Sequence, residues 1–581
     1  NVYMAESLYY GRTGERLERM DQSHIDPIIE DIKKRGLTLE KIDDYLTARH
    51  APERNRELRK INQKIADPSG MSDERAQKII EDVRASGKLA DYQAVEKRIR
   101  ALINETRKTM VDAGLISREQ SALWAGMYQN YVPLRGWQEG DADALDTSGV
   151  AGIGRGYDVR GPEAKRALGR SSRADSPLGY VFTQAQQAVV RAEKNKVGRT
   201  ALEFVQNNPS PLWQIDKGDT KRTIDPETGL VVEHGDPSWI NKPNVFAVKI
   251  DGKAHYINFK GERGADLARA LKNLGTGNLH PAMRFIGALT RIQARLATSW
   301  NPDFMIPNFI RDAGEAFINL QEQDQKKFVR QFSKHLLPAM GGSFNALRGA
   351  KGGKYAEAFR EYDRAGGRIR FFGLENVDDI KANIASKMRR LEGGAINNMR
   401  AAGEKAVNAI DIANGSIENA TRLAAFMAAI DVGLSPAKAA SIARELTVNF
   451  NRKGELGSVI SSLYMFANAA IQGQTRMLTA MYNSPRVRKF AGGIAVSGAV
   501  MALYNLGAGG DDDDGKPHYT KIPQWVRDTN LIIMWPKGFG RDGQHIKIPL
   551  PYGYAMFHVI GARAVTAGLG TVRLPGQMIY R

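Results

Sequence analysis

Apolar positions recur every three or four residues through residues 1–136, on a background dense in charge. Val95, Ile99, Leu102, Ile103, Thr106 and Met110 form one such stripe, which predicts an amphipathic helix. Gly114 is placed to stop that helix. Ser117-Arg-Glu-Gln120 has the form of a capping box opening the next one. Asp67-Pro-Ser-Gly70 marks an earlier break. This first region therefore reads as a charged helical bundle or arm with nothing catalytic in it.

The period then changes. Residues 137–180 are rich in Gly, Ser and Arg, which predicts a long exposed or partly disordered connection. One helix is expected over 181–207, ending near Asn207-Asn-Pro209. Asn244–Ile250 and Ala254–Phe259 read as two strands joined by an Asp251-Gly252 turn, part of a small β-rich insertion that closes a region 181–262. Helices resume over 263–482. Within them Pro302 and Pro307 preclude a regular helix through Ser299–Asp312. Asn301, Phe304, Asn308, Arg311 and Asp312 complete a polar and aromatic corner there, read as a structural joint between long helices. Residues 340–356 read as a Gly- and Lys-rich loop, and 393–432 as a long Ala-rich helix carrying a Glu418–Arg422 pair. Ser435-Pro436 opens a further helix. Asn530–Trp535 and His545–Leu550 predict a hairpin with a wide loop.

One stretch stands apart. Gly457–Gly510 contains no Asp or Glu, although 25% of the whole chain is charged. Its run Phe490–Ala508 carries no charge and is preceded by Arg486, Arg488 and Lys489 and followed shortly by Asp511–Asp514. About 20 apolar residues cross a bilayer core as a helix, so this run is near the required length. It is also rich in small residues, which suit close helix approach in lipid and in a soluble bundle alike. Phe490, Ile494, Val496, Val500, Met501, Leu503 and Tyr504 are its candidate membrane contacts. The region 483–510 thus separates the helical core from a final region, 511–581. There Tyr554–Leu574 is apolar, contains Arg563, and fits an interfacial helix better than a spanning one.

Charge sharpens the picture. The 581 residues carry a formal net charge of +19, which points to an anionic partner, nucleic acid or a membrane surface. From Arg155 to Arg199 there are ten Lys/Arg against four Asp/Glu. Arg155, Arg160, Lys165, Arg166, Arg170 and Arg173 are therefore the candidate DNA contacts, with an ordinary solvated basic loop as the alternative. There is no cysteine, which removes disulfides, thiolate metal sites and cysteine nucleophiles together. The chain begins Asn-Val-Tyr and reads as a piece of a longer polypeptide. The Gly-rich segments lack the spacing of nucleotide loops. The nine histidines are scattered, and no cofactor, metal or catalytic set is expected.

Five short motifs occur in one order: SWNPDFMIPNFIRD (299–312), IENATRLAAF (417–426), NFNRKG (449–454), FANAAIQG (466–473) and IPLPYG (548–553). Together they resemble the helical C-terminal region of large polyvalent proteins of tailed bacteriophages, a group that includes internal virion, or ejection, proteins. The resemblance covers roughly 280–581. It implies a virion protein held inside the capsid and released to the host periplasm and inner membrane. There such proteins form a ring or tube of copies of themselves, with other ejection proteins, as a channel for double-stranded DNA. The whole reads as mainly α, an elongated multi-helix bundle with a small β-rich insertion and a C-terminal β-hairpin. Two rival readings stay open: a peptidoglycan-degrading enzyme fragment delivered with the DNA, and a soluble co-injected DNA-binding protein.

Overall fold

The computed structural model describes residues 2–135, 156–159, 172–272, 326–368, 377–390, 415–445 and 481–568, apart from short breaks inside these ranges, together with Glu163 and Gly169. In chain order the elements of the first part are α1 (Val2–Ser7), α2 (Tyr9–Met20), α3 (Asp26–Lys34), α4 (Leu39–Arg59), α5 (Asp73–Ala85), α6 (Leu89–Asp112), α7 (Arg118–Met127) and α8 (Pro177–Asn207). These are followed by strands β1 (Trp213–Asp216), β2 (Thr220–Ile224), β3 (Val231–Gly235), β4 (Val245–Ile250) and β5 (Lys253–Phe259), then by α9 (Gly261–Lys272). Further on come α10 (Lys326–Leu347), α11 (Lys354–Arg364), α12 (Val377–Arg390), α13 (415–431) and α14 (Pro436–Glu445). The C-terminal elements are α15 (Pro485–Ala508), α16 (His518–Lys521), α17 (Gln524–Thr529), β6 (Asn530–Met534), β7 (His545–Pro549) and α18 (Ala555–Gly568). The fold is mainly α with small antiparallel sheets. It divides into two compact units, 1–279 with 370–402, and 280–369 with 403–581.

The first unit is organised around α8. Ser176 caps it by accepting from the Gly179 amide at 3.1 Å, and Pro177 occupies its first turn. Similar caps open α4 (Thr38), α5 (Ser72) and α7 (Ser117). The Val95/Ile99/Leu102 stripe of α6 is buried in one core with Ile28, Ile32, Tyr45, Val181 and Phe182. The α12 helix joins this core through Ile380 and Ile384. Its Lys381 and Lys387 bond Asp175 and Asp26, each at 2.5 Å.

Further along α8, Val197 and Leu202 pack on Phe246, Val248 and Ile257 of the sheet ordered β1-β5-β4. Asp251 and Gly252 close the β4–β5 hairpin with φ of 49° and 76°, the left-handed backbone that an Asp-Gly turn supplies. Asn195 ties helix to sheet: its amide donates to the Ala113 and Lys249 carbonyls and its oxygen accepts from the Lys249 amide.

Two sequence expectations change. Gly156–Val159 is buried rather than exposed. The Tyr157 amide donates to Leu271 O, the Val159 amide donates to Ala247 O, and the Tyr157 ring sits edge-on to Tyr9. An aromatic and a branched residue anchor this part of the Gly/Arg-rich stretch. Within 340–356, helix α10 continues to Leu347, and only a short connection precedes α11. A Cβ on Gly342 would overlap Tyr355, so this glycine serves close packing rather than a turn.

Candidate functional site

The uncharged run Phe490–Ala508 lies in one helix, α15, and along that run the buried face is made of small residues. Ala491, Gly498, Ala502, Asn505 and Gly509 are buried, with Ala495 partly so. Their spacing alternates four and three, the repeat of a helix–helix seam. The partner is α18. A Cβ on Gly561 would overlap the Ala495 carbonyl, and a Cβ on Gly498 would overlap the carbonyl of His558. The two backbones therefore touch, which only glycine at both crossing points permits.

The opposite face of α15 carries the bulky residues. Val496, Val500 and Leu503 are 64%, 56% and 55% exposed, at spacings of four and three. On α18, Met556 and Ile560 are also outward at 47% and 56%. An amphipathic helix of a soluble bundle does the reverse, with bulky apolar residues inward and polar ones outward.

Three polar side chains of this pair, Asn505, Tyr504 and Arg563, are bonded to neighbouring elements. Asn505 donates to Ile532 O and accepts from the Met534 amide, fixing β6 at the C-terminal end of α15. The Tyr504 hydroxyl donates to Met534 O at 3.2 Å. Arg563, the one cation of α18, pairs with Asp528 of α17 at 2.5 Å. Tyr519, Ile522, Val526, Ile532 and Met534 form a small core that holds α16, α17 and the β6–β7 hairpin together.

The candidate membrane residues are thus sorted. Val496, Val500 and Leu503 face outward. Ile494 and Met501 are half-buried, Tyr504 is exposed but tied to β6, and Phe490 lies in the helix without a described side-chain environment. Among the described residues one helix, Val487–Ala508, is long and apolar enough to cross a membrane, and 24% of it is buried.

Of the candidate DNA contacts, Arg173 bonds Asp44 at 2.6 Å, so its charge is already paired within the protein. Arg155, Arg160, Lys165, Arg166 and Arg170 lie outside the described residues. So does the whole joint of Asn301, Pro302, Phe304, Pro307, Asn308, Arg311 and Asp312.

Sequence reasoning missed the Gly498–Gly561 crossing, although the seam of small residues was present as a four-three spacing. It also missed several buried polar centres. His335 on α10 bonds Tyr355 at 2.9 Å and Asp431 at 2.7 Å, linking three helices. Burial, reinforced by Asp431, holds the Tyr355 phenol above its ordinary range. In the first unit Glu163 bonds both Arg191 and Lys249. Burial pushes that carboxyl up, but the two cations outweigh it and leave it below its usual range. Lys194, buried beside Arg191, is pushed down to about 8 by burial first. These centres join elements of the fold. Among the described residues no three His, Asp or Glu converge as metal ligands.

Residues 516–568 match the family model described as large polyvalent protein associated domain 38. The match begins just after α15 and ends with α18, so it covers the partner of the seam and the hairpin that caps it. No curated protein and no solved structure matches the chain.

Proposed function

We propose that this chain, which carries at 516–568 a domain of the large polyvalent proteins of bacteriophages, is an internal virion protein that leaves the capsid and oligomerises into part of a trans-envelope channel for the genome. The observation that carries the reading is the bulky apolar face of α15 and α18 in a chain of net charge +19. Exposed apolar residues in a contiguous stretch mark an interaction surface. A strongly positive balance favours DNA phosphate and the anionic inner leaflet alike. Long helices tied by buried ion pairs suit a wall element of a conduit, and among the described residues the polar centres hold helices together.

The test is reconstitution. The full chain is mixed with anionic vesicles that enclose a nuclease, and cross-linking and the fate of external duplex DNA are followed. The proposal expects discrete oligomers and DNA cleavage that depends on the protein. A monomeric chain on vesicles that stay closed to DNA would contradict it. Clearing of a peptidoglycan suspension by the purified chain would instead establish a lytic enzyme.

A further inference from the structure

The fold of α15 raises a question that its composition leaves open: whether a helix of this length crosses the bilayer. We infer that α15 and α18 dock on an anionic lipid surface from one side, as a pair lying in the plane of the interface, and that α15 does not span it. The inference rests on the membrane-contacting reading above and specifies its geometry.

Three observations carry it. First, α15 has only one free face. The seam Ala491–Ala495–Gly498–Ala502–Asn505–Gly509 is occupied by α18 and β6, so lipid can reach only the side that bears Val496, Val500 and Leu503. A helix with one apolar face open suits the interface, where it buries that face and leaves the rest to its protein neighbours.

Second, the C-terminal end of α15 is built into polar structure. Lys537 N donates to Ala508 O, His518 N donates to Gly510 O, and Asp511 bridges to Pro517. Carrying this end through the bilayer would take Asp511–Asp514 and the β6–β7 hairpin with it. Carboxylates are costly to carry through the bilayer core. The hairpin's open edges have no partner in hydrocarbon.

Third, the region around α15 is net basic, although Asp511–Asp514 follow its C-terminal end. Arg488 and Lys489 lie near its start, and Lys537 lies against Gly510 at its finish. Over 485–568 ten Lys/Arg stand against six Asp/Glu, four of the six being Asp511–Asp514 at the finish of α15. Exposed cations at the start and a net positive balance over the region fit a helix pair lying against one layer of anionic headgroups. Each cation near an anionic surface adds to the attraction.

The chain has no cysteine, so single thiols report position without background. Lys489→Cys, Val500→Cys and Lys516→Cys are made in the full chain, all at exposed or outward positions. Each is bound to sealed vesicles containing phosphatidylglycerol and treated from outside with a membrane-impermeant maleimide. The inference expects the thiols at 489 and 516 to label as fast as in free protein, and the thiol at 500 to slow at least tenfold. It also expects flotation to weaken at least tenfold when phosphatidylcholine replaces the anionic lipid.

Protection of the thiol at 489 or at 516 until detergent is added would mean that α15 spans, which overturns the inference and leaves the channel reading intact. Protection of the thiol at 500 without vesicles, rising with protein concentration, would assign the face to a second copy and overturn it too. No flotation with either lipid would remove membrane contact from both readings.

Discussion

Helices α8 and α15 are both long, and both carry neighbours along their length, yet they are built in opposite senses. Helix α8 buries residues on every side: Val181, Phe182 and Leu202 fill apolar cores, while Glu193 is held by Arg12 at 2.7 Å and Arg16 at 2.9 Å. Over its uncharged run, helix α15 buries Ala491, Gly498 and Ala502 and leaves Val496, Val500 and Leu503 outside. The first arrangement extracts stability from buried apolar volume and keeps its buried charges paired. The second gains its contact by backbone approach and keeps its bulky side chains free. The difference teaches that the acid-free composition around α15 is not a core signature: its apolar mass points away from the protein.

That contrast can be broken or sharpened by substitution. The largest effect is expected at Phe182→Ala, which empties a fully buried site and should cost about 3–5 kcal/mol in denaturant unfolding of the first unit. A loss below about 1 kcal/mol would remove the claim that α8 is the centre of that unit. Next comes Gly561→Val. A side chain there meets the Ala495 carbonyl, and overpacking should destabilise the C-terminal helix pair by about 1–3 kcal/mol, read as earlier proteolysis between α15 and α18.

Acidification should weaken the first unit by a smaller amount. The His50 ring is fully buried, edge-on to Tyr128 and Tyr131, with no hydrogen-bond partner on either nitrogen. Burial first, and Arg54 second, push it down to about 3. Because the unfolded ring titrates near 6.5, the unfolded state binds the extra proton, and stability is lost as pH falls from 6.5 toward 3. At pH 5 the loss is about 2 kcal/mol. Asp43 acts in the opposite sense: burial raises it to about 6, so between 3.8 and 6 its contribution improves as pH falls. A His50→Leu variant should therefore flatten the decline between pH 6.5 and 5, and an unchanged pH profile would refute the assignment. The smallest stability effect is expected at Leu503→Ser on the outer face of α15, within about 0.5 kcal/mol, together with a clear loss of vesicle binding.

The fold was legible where one local rule decides. Asp251-Gly252 dictates the β4–β5 turn, Ser117 accepts from the Gln120 amide as its capping form requires, and Glu418 pairs with Arg422 at 3.0 Å. The predicted hairpin forms with Leu531 opposite Ile548 and Ile533 opposite Ile546. What the sequence hid depends on partners far along the chain. Gly341 and Gly342 read as loop, because nothing nearby shows that Gly342 makes room for Tyr355. The α15 run read as weakly apolar for the same reason: its alanines and glycines are matched to Gly561, more than fifty residues on. Of the candidate site, the outer residues Val496, Val500 and Leu503 were readable as apolar. Which side they occupy was not, because the partner that selects the small-residue face, Gly561, lies far along the chain.

The central claim, that the bulky face of α15 is made for lipid, is tested most directly by depth. A bimane attached at Val500→Cys in the full chain is read in anionic vesicles whose acyl chains are brominated near the headgroup or near the bilayer centre. The account predicts strong quenching by the shallow bromines and weak quenching by the deep ones. Quenching that is strongest at the centre, or absent from both sets of vesicles, would contradict it.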